Sequence, residues 1–242
     1  MKAAMNHRVD TMPNIALEKI SVAAGAKSAR GLFRSVFLAG TVAALAACSV
    51  LPDKPARPTL FDLGATPSAA IAAVATATPA ATVAMSAIDA RGPLEGSTAM
   101  LYRLAYANDQ QLRPYAESRW AMAPALLVDQ RLRNLLSQNR PVVSEAEGQA
   151  QLNNAGALPR GLRIELLEFG QVFSAPAASA GVVRLRATVV ELSPDGEKLL
   201  AQRQFSVQRD APTADASGGV RALTAATDAL AQEMDQWLGT LR

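Results

Sequence analysis

The sequence predicts an α+β fold: a single domain over residues 59–242, with a mainly antiparallel sheet covered by two amphipathic helices. Three observations lead there. Residues 161–173, 183–189 and 199–207 alternate apolar and polar side chains with the period of half-buried strands. Residues 124–138 and 218–241 instead place their apolar side chains at helical spacing. Half of the 242 residues are hydrophobic, enough for a substantial core, although much of that half is alanine.

The N-terminal 47 residues have a different character. They hold six Lys or Arg (Lys2, Arg8, Lys19, Lys27, Arg30, Arg34) against Asp10 and Glu18, a local charge of +4. The whole chain carries only +3, so the remainder is −1 and lacks the basic surplus of a nucleic-acid-binding domain. Val36–Ala47 (VFLAGTVAALAA) is an apolar run too short for a bilayer span of roughly 20 residues. With Arg30 and Arg34 before it and small residues at its end, it reads as the apolar core of a secretory signal peptide over residues 1–47. The segment is long for a signal, which makes Met5 and Met12 alternative starts.

Leu45-Ala46-Ala47-Cys48 resembles the lipobox of bacterial lipoproteins, and Cys48 matches the lipidated cysteine. Ser49 is not the Asp that marks inner-membrane retention in the enterobacterial sorting rule, so the resemblance implies an outer-membrane anchor facing the periplasm. Several acyl chains on one residue hold firmly, because each buried methylene contributes about 0.8 kcal/mol. Cys48 is the only cysteine; once acylated it leaves the chain without a disulfide, and the domain relies on its core for stability.

Residues 48–58 form the lipidated N-terminus and a Pro-rich tether, SVLPDKPARP after the cysteine, poorly suited to helix. A short strand follows at Thr59–Leu63. Residues 65–82 (ATPSAAIAAVATATPAAT) are low in complexity and read as a loop, with a helix from Ser68 to Ala77 as the alternative. Residues 83–90 and 99–107 read as strands joined by the turn-rich ARGPLEGS. Pro124 opens a helix, since the first helical N–H has no partner to lose, with Val128, Leu132, Leu135 and Leu136 on one side and Pro141 beyond its end. A short apolar PVVS and the EAEGQAQLNNAG stretch, with room for a further helical turn, lead into the three clearest strands. SPDGEK between the last two is a hairpin signal centred on Asp195-Gly196, and Arg203 interrupts an apolar face, which places it near an edge or in an ion pair. Ser217 is the expected cap of the final helix, whose stripe is Val220, Leu223, Leu230, Met234, Trp237 and Leu241.

The sole histidine, His7, lies in the segment read as removed. A chain without it carries no Ser-His-Asp or Cys-His arrangement and no His-containing zinc site. Neither GxSxG, GxxxxGK[ST] nor a strand-linked GxGxxG occurs, so no catalytic residue, metal or cofactor is expected. The pairs Glu145/Glu147 and Glu165/Glu168 read as solvated surface, and Gly218-Gly219 as a feature of the helix start.

Residues 100–132 stand apart, gathering Tyr102, Tyr106, Tyr115 and Trp120 with Arg103, Arg113 and Arg119. Such side chains combine large contact area with polar ends and are enriched at interfaces. Trp120 and one or two tyrosines read equally well as core. The YRLAY pattern, PYAESRW before a Pro-initiated helix, the earlier TLFDLG and the lipobox, in this order, resemble the ABC-type transport auxiliary lipoprotein family, also called PqiC-like. The resemblance implies an auxiliary, non-enzymatic component of an ABC transport system containing mammalian cell entry (MCE) domains, active in lipid trafficking or envelope maintenance. An MCE-domain protein is the implied partner, alongside the membrane and further copies of the chain. Tyr102, Arg103, Tyr106, Tyr115, Arg119 and Trp120 are then the candidate contact residues. A direct periplasmic lipid carrier and a structural lipoprotein of outer-membrane assembly are the competing readings.

Overall fold

A computed structural model describes residues 57–65, 80–151, 159–193 and 196–241. Residues 1–47, read as a signal peptide, Cys48 and most of the segment read as a tether, most of the Ala-rich stretch, and Asp195 lie outside the described residues. In chain order the elements are β1 (Thr59–Phe61), β2 (Val83–Met85), β3 (Asp89–Ala90), β4 (Ala99–Leu104), β5 (Asn108–Trp120), α1 (Pro124–Leu136), β6 (Val142–Ser144), α2 (Glu145–Gln151), β7 (Arg160–Ala175), β8 (Ala178–Ser193), β9 (Gly196–Asp210) and α3 (Ala216–Thr240).

β7, β8 and β9 form the expected antiparallel meander. The sheet as a whole is mixed, which corrects the mainly antiparallel expectation. The other edge of β7 receives β2 at Arg160, β3 at Glu165 and β4 at Gln171, all three parallel to it. The reason lies in the connection: β5 runs back along β4 and returns the chain toward the end where β2 begins, so β6 and β7 run in the same direction as β2, β3 and β4, with α2 in the crossover from β6 to β7. β2, β3 and β4 thus act as one interrupted strand, broken after Ala90 by a turn with Gly92 and Gly96 at positive φ. β6 adds in parallel to β2, while β5 pairs antiparallel with β4 and carries β1 in parallel on its far side.

A bulge at Leu167 organises β7. Before it Leu162, Ile164 and Leu166 point to the core; after it Phe169, Gln171 and Phe173 do. The extra residue reverses the parity. On this inner face Val183, Leu185, Ala187 and Val189 from β8, with Phe205 and Val207 from β9, meet Leu223, Ala226, Leu230 and Met234 of α3. Val128, Leu132 and Leu136 of α1 join the same cluster. Each large apolar side chain so buried contributes about 1.5–3 kcal/mol. β9 is an edge strand, and Arg203 at that edge lays its guanidinium over the Phe205 ring, 4.8 Å from its centroid.

Three helices are present among the described residues, not two. α2 covers the opposite face at one end, where Ala84, Val190 and the half-buried Val143 form a small second cluster. Ser144 and Glu147 close a reciprocal capping box at its start: the Ser144 N–H donates to Glu147 Oε2 at 2.7 Å, and the Glu147 N–H to Ser144 Oγ at 3.2 Å. β8 closes against β9 at Ser193 opposite Gly196, so Gly196 already belongs to β9.

The cap of α3 is Asp215, not Ser217. Its Oδ1 accepts from the Gly218 N–H at 2.6 Å and from the Thr213 hydroxyl at 2.9 Å. Gly218 is required here, since a Cβ would lie 1.9 Å from the Thr213 carbonyl oxygen. The Gly218 amide, then the Thr213 hydroxyl, hold the Asp215 carboxyl below its ordinary pKa of 3.8. A lowered folded-state pKa gives stability that is present above the ordinary value and lost as pH falls through the folded one. Asp215→Ala is therefore expected to cost about 1 kcal/mol at neutral pH. In urea unfolding, the gap between variant and parent should narrow in acid.

Candidate functional site

Residues 108–120, a stretch without a periodic signal, form the long strand β5. Pro114 is tolerated because β1 reaches only Ser118–Trp120, leaving the Pro114 stretch at a sheet edge. Two register shifts against β4 decide where the aromatic and basic side chains go.

Tyr102 and Tyr115 meet on the helix-side face, with ring centroids 4.7 Å apart, and Phe173 adds an edge-on contact to Tyr102 at 5.7 Å. The Tyr115 hydroxyl donates to Gln171 Oε1 at 2.7 Å, and Gln171 Nε2 donates to Ser179 Oγ at 2.7 Å. Gln171 and Ser179 are buried. Burial, then Tyr102 and Asp215, push the Tyr115 phenol up to about 12, so it remains a donor near neutral pH. The first turn of α3 closes this polar chain from above: a Cβ on Gly219 would lie 2.2 Å from Gln171 Oε1. Gly218-Gly219 is thus a close approach of helix to sheet as well as part of a cap.

Trp120 is buried, 2% exposed, with its ring 5.3 Å from Phe169. It belongs to the core and offers no surface to a partner. Arg103 projects to the opposite face from Tyr102, donating from Nη1 to the Asp109 carbonyl at 3.0 Å. Arg119 folds along its own strand, donating to the carbonyls of Tyr115 and Ser118. Tyr106 is 48% exposed in the turn between β4 and β5. The six residues are therefore divided among a core position, a half-buried tyrosine pair, two arginines on the flank and one exposed tip.

Two features escaped the sequence. One is the Gln171–Ser179 link, whose only signal was a glutamine at an inward strand position. The other is an apolar cleft of about 360 Å³ beside Arg103, lined by Pro93, Leu94, Leu101, Leu112, Leu167 and Val172. Its residues come from four separate segments, which no local pattern joins. The carboxylates read as solvated are paired across the outer face of the meander: Glu165 with Arg186 at 2.8 Å and Glu168 with Arg184 at 3.2 Å. Glu165 and Arg186 also edge an open trough of about 830 Å³ with Arg91, Arg163 and Asp89. Among the described residues no group of His, Cys, Asp and Glu could hold a metal ion, and no helix is long and apolar enough to cross a membrane.

The fold has solved counterparts. Protein XCC0632 from Xanthomonas campestris is similar with a TM-score of 0.56 at 16% identity, over 75% of this chain and 95% of that one. An uncharacterized protein of known crystal structure gives the same TM-score at 12% identity, over 75% of this chain and 99% of its own. At these identities the likeness concerns the fold. The comparison with curated proteins gives no match. The sequence matches the family described as ABC-type transport auxiliary lipoprotein component over residues 61–235, which contain β4, β5, the tyrosine pair and nearly all of α3. The chain belongs to the ABC-type transport auxiliary lipoprotein family.

Proposed function

We propose that the protein is anchored through acylated Cys48 to the periplasmic face of the outer membrane and serves there as the auxiliary component of an MCE-type ABC transport system. The observation that carries this reading is the family match over residues 61–235 standing directly behind the Leu45–Cys48 lipobox. The chain then joins a membrane anchor to a recognition domain and leaves ATP hydrolysis and lipid handling to its partners. Recognition as the role of the domain is supported by the free edge of β5 and by the arginines Arg103 and Arg119 beside it. An incoming segment can add to such an edge through main-chain hydrogen bonds. The tyrosine pair stiffens the strand from behind through Gln171. A carrier role has less support, because among the described residues Leu132 of α1 and Leu230 of α3 are fully buried in one cluster with Leu185 of β8, which fills the inner face.

The decisive experiment is co-purification of the lipidated protein from membranes with the MCE-domain protein. Retention is expected, with Arg103→Glu/Arg119→Glu lowering it at an unchanged melting temperature. Cys48→Ala is expected to abolish acyl labelling and outer-membrane fractionation while the domain stays folded. No association of the lipidated form with an MCE-domain protein would sink the transport reading, and unchanged fractionation of Cys48→Ala would sink the anchor.

A further inference from the structure

The direction of β1 and the composition of one end of the sheet together orient the domain on its membrane. This inference rests on the anchoring of Cys48. β1 is parallel to β5, with Thr59 opposite Ser118 and Phe61 opposite Trp120. The chain therefore enters β1 from the side of the β4–β5 turn and runs away from it. Ala99 pairs with Arg119 and Leu104 with Asn108, so only the length of β4, about 17 Å at roughly 3.3 Å per residue, separates the entry point from that turn. The eleven residues from Cys48 to Thr59 reach at most about 36–40 Å. The anchor reaches the plane of the turn with slack. To set the opposite end of the sheet on the membrane, where Arg160 and Leu241 lie, the tether would have to double back past β1.

The end of the sheet on the side from which β1 is entered carries two turns side by side, held by the Ala105 N–H donating to the Phe173 carbonyl at 2.9 Å. One carries Ala105, Tyr106 and Ala107; the other, between β7 and β8, leads through Pro176 and Ala177 to Ala178. All six are exposed and none is charged. A tyrosine between two alanines, with Asn108 and Asp109 only beyond the turn, suits the headgroup layer, where the ring meets apolar surface and the hydroxyl stays hydrated. The outer face of the meander, with its Glu165–Arg186 and Glu168–Arg184 pairs, has the opposite character. We propose that the paired turns at Tyr106 and Pro176-Ala177 are a lipid-contacting tip that rests on the bilayer surface when Cys48 is anchored in it. The flank of β5 and the Arg160–Leu241 end then face the periplasm and the transporter.

The acylated Cys48 leaves any introduced cysteine as the single free thiol, which makes the orientation measurable in the full lipidated chain. Tyr106→Cys, Ala177→Cys and Leu199→Cys variants are labelled with an environment-sensitive nitrobenzoxadiazole probe and reconstituted into phosphatidylethanolamine–phosphatidylglycerol vesicles. Leu199 is the comparison because it is 61% exposed near the other end of the sheet. Probes at 106 and 177 are expected to gain emission, shift to the blue and be quenched by shallow lipid quenchers, while the probe at 199 stays unchanged. Tyr106→Asp, introduced beside the probe at 177, should weaken that response without loss of flotation. Response at 199 in place of 106, or silence at both tip positions in protein that floats with the vesicles, overturns the tip alone. Failure to float overturns the anchor and the tip together.

Discussion

Trp120→Ala is expected to destabilise the domain by about 3–5 kcal/mol, the usual cost of removing a buried large aromatic side chain. The indole is 2% exposed and packs on Phe169, the first inward residue after the β7 bulge. Its partner across the β1–β5 ladder is Phe61, so the cavity would open where β1, β5 and β7 converge. Urea unfolding should show the loss as a lower midpoint. Tyr106→Ala provides the contrast, because removal of a side chain half exposed in a turn falls within about 0.5 kcal/mol. If Trp120→Ala instead left stability unchanged and reduced partner retention, the packing of Trp120 against Phe169 would be the wrong account.

That contrast separates what the sequence expresses locally from what it does not. Alternation placed β7, β8 and β9, because each strand has one face in the core, and helical spacing placed α1 and α3. Of the residues the stripes named, Val128, Leu132, Leu136, Leu223, Leu230, Met234 and Trp237 are buried, Leu135, Val220 and Leu241 are partly buried, and Leu127 and Leu238 join the core unnamed. β5 was missed because two register shifts and Pro114 break its alternation. For the same reason Tyr102, Arg103, Tyr115 and Trp120, adjacent as a cluster in sequence, separate to different faces and depths. Strand direction was beyond reach for another reason: no single segment records that β2, β3 and β4 share one edge of β7.

The second large effect is expected at Arg131, which no motif marks. It is 4% exposed, on α1, and binds the Asp228 carboxylate of α3 with Nε and Nη2, the latter at 2.8 Å. Its Nη1 donates to the Leu63 carbonyl at 2.6 Å, just past β1. One guanidinium therefore joins both long helices to the chain that leaves β1. Arg131→Met would leave Asp228 partly buried without its partner and the Leu63 carbonyl without its donor, a loss of about 3–5 kcal/mol. Replacing Asp228 as well, with Leu, should recover a large part, because an apolar pair of similar volume avoids the unpaired charge. A double-mutant cycle in urea measures this, and equal losses in the single and double variants would show that charge pairing is not the cause. The link to Leu63 adds a second readout. β1 is held by only three paired residues, so without Arg131 it should fray before the meander does. Limited proteolysis between residues 57 and 65 should accelerate ahead of global unfolding in Arg131→Met and remain slow in Asp228→Leu, which keeps the donor to Leu63. Because β1 is the first described strand, this would locate in Arg131 the clasp that holds β1 to α1 and α3.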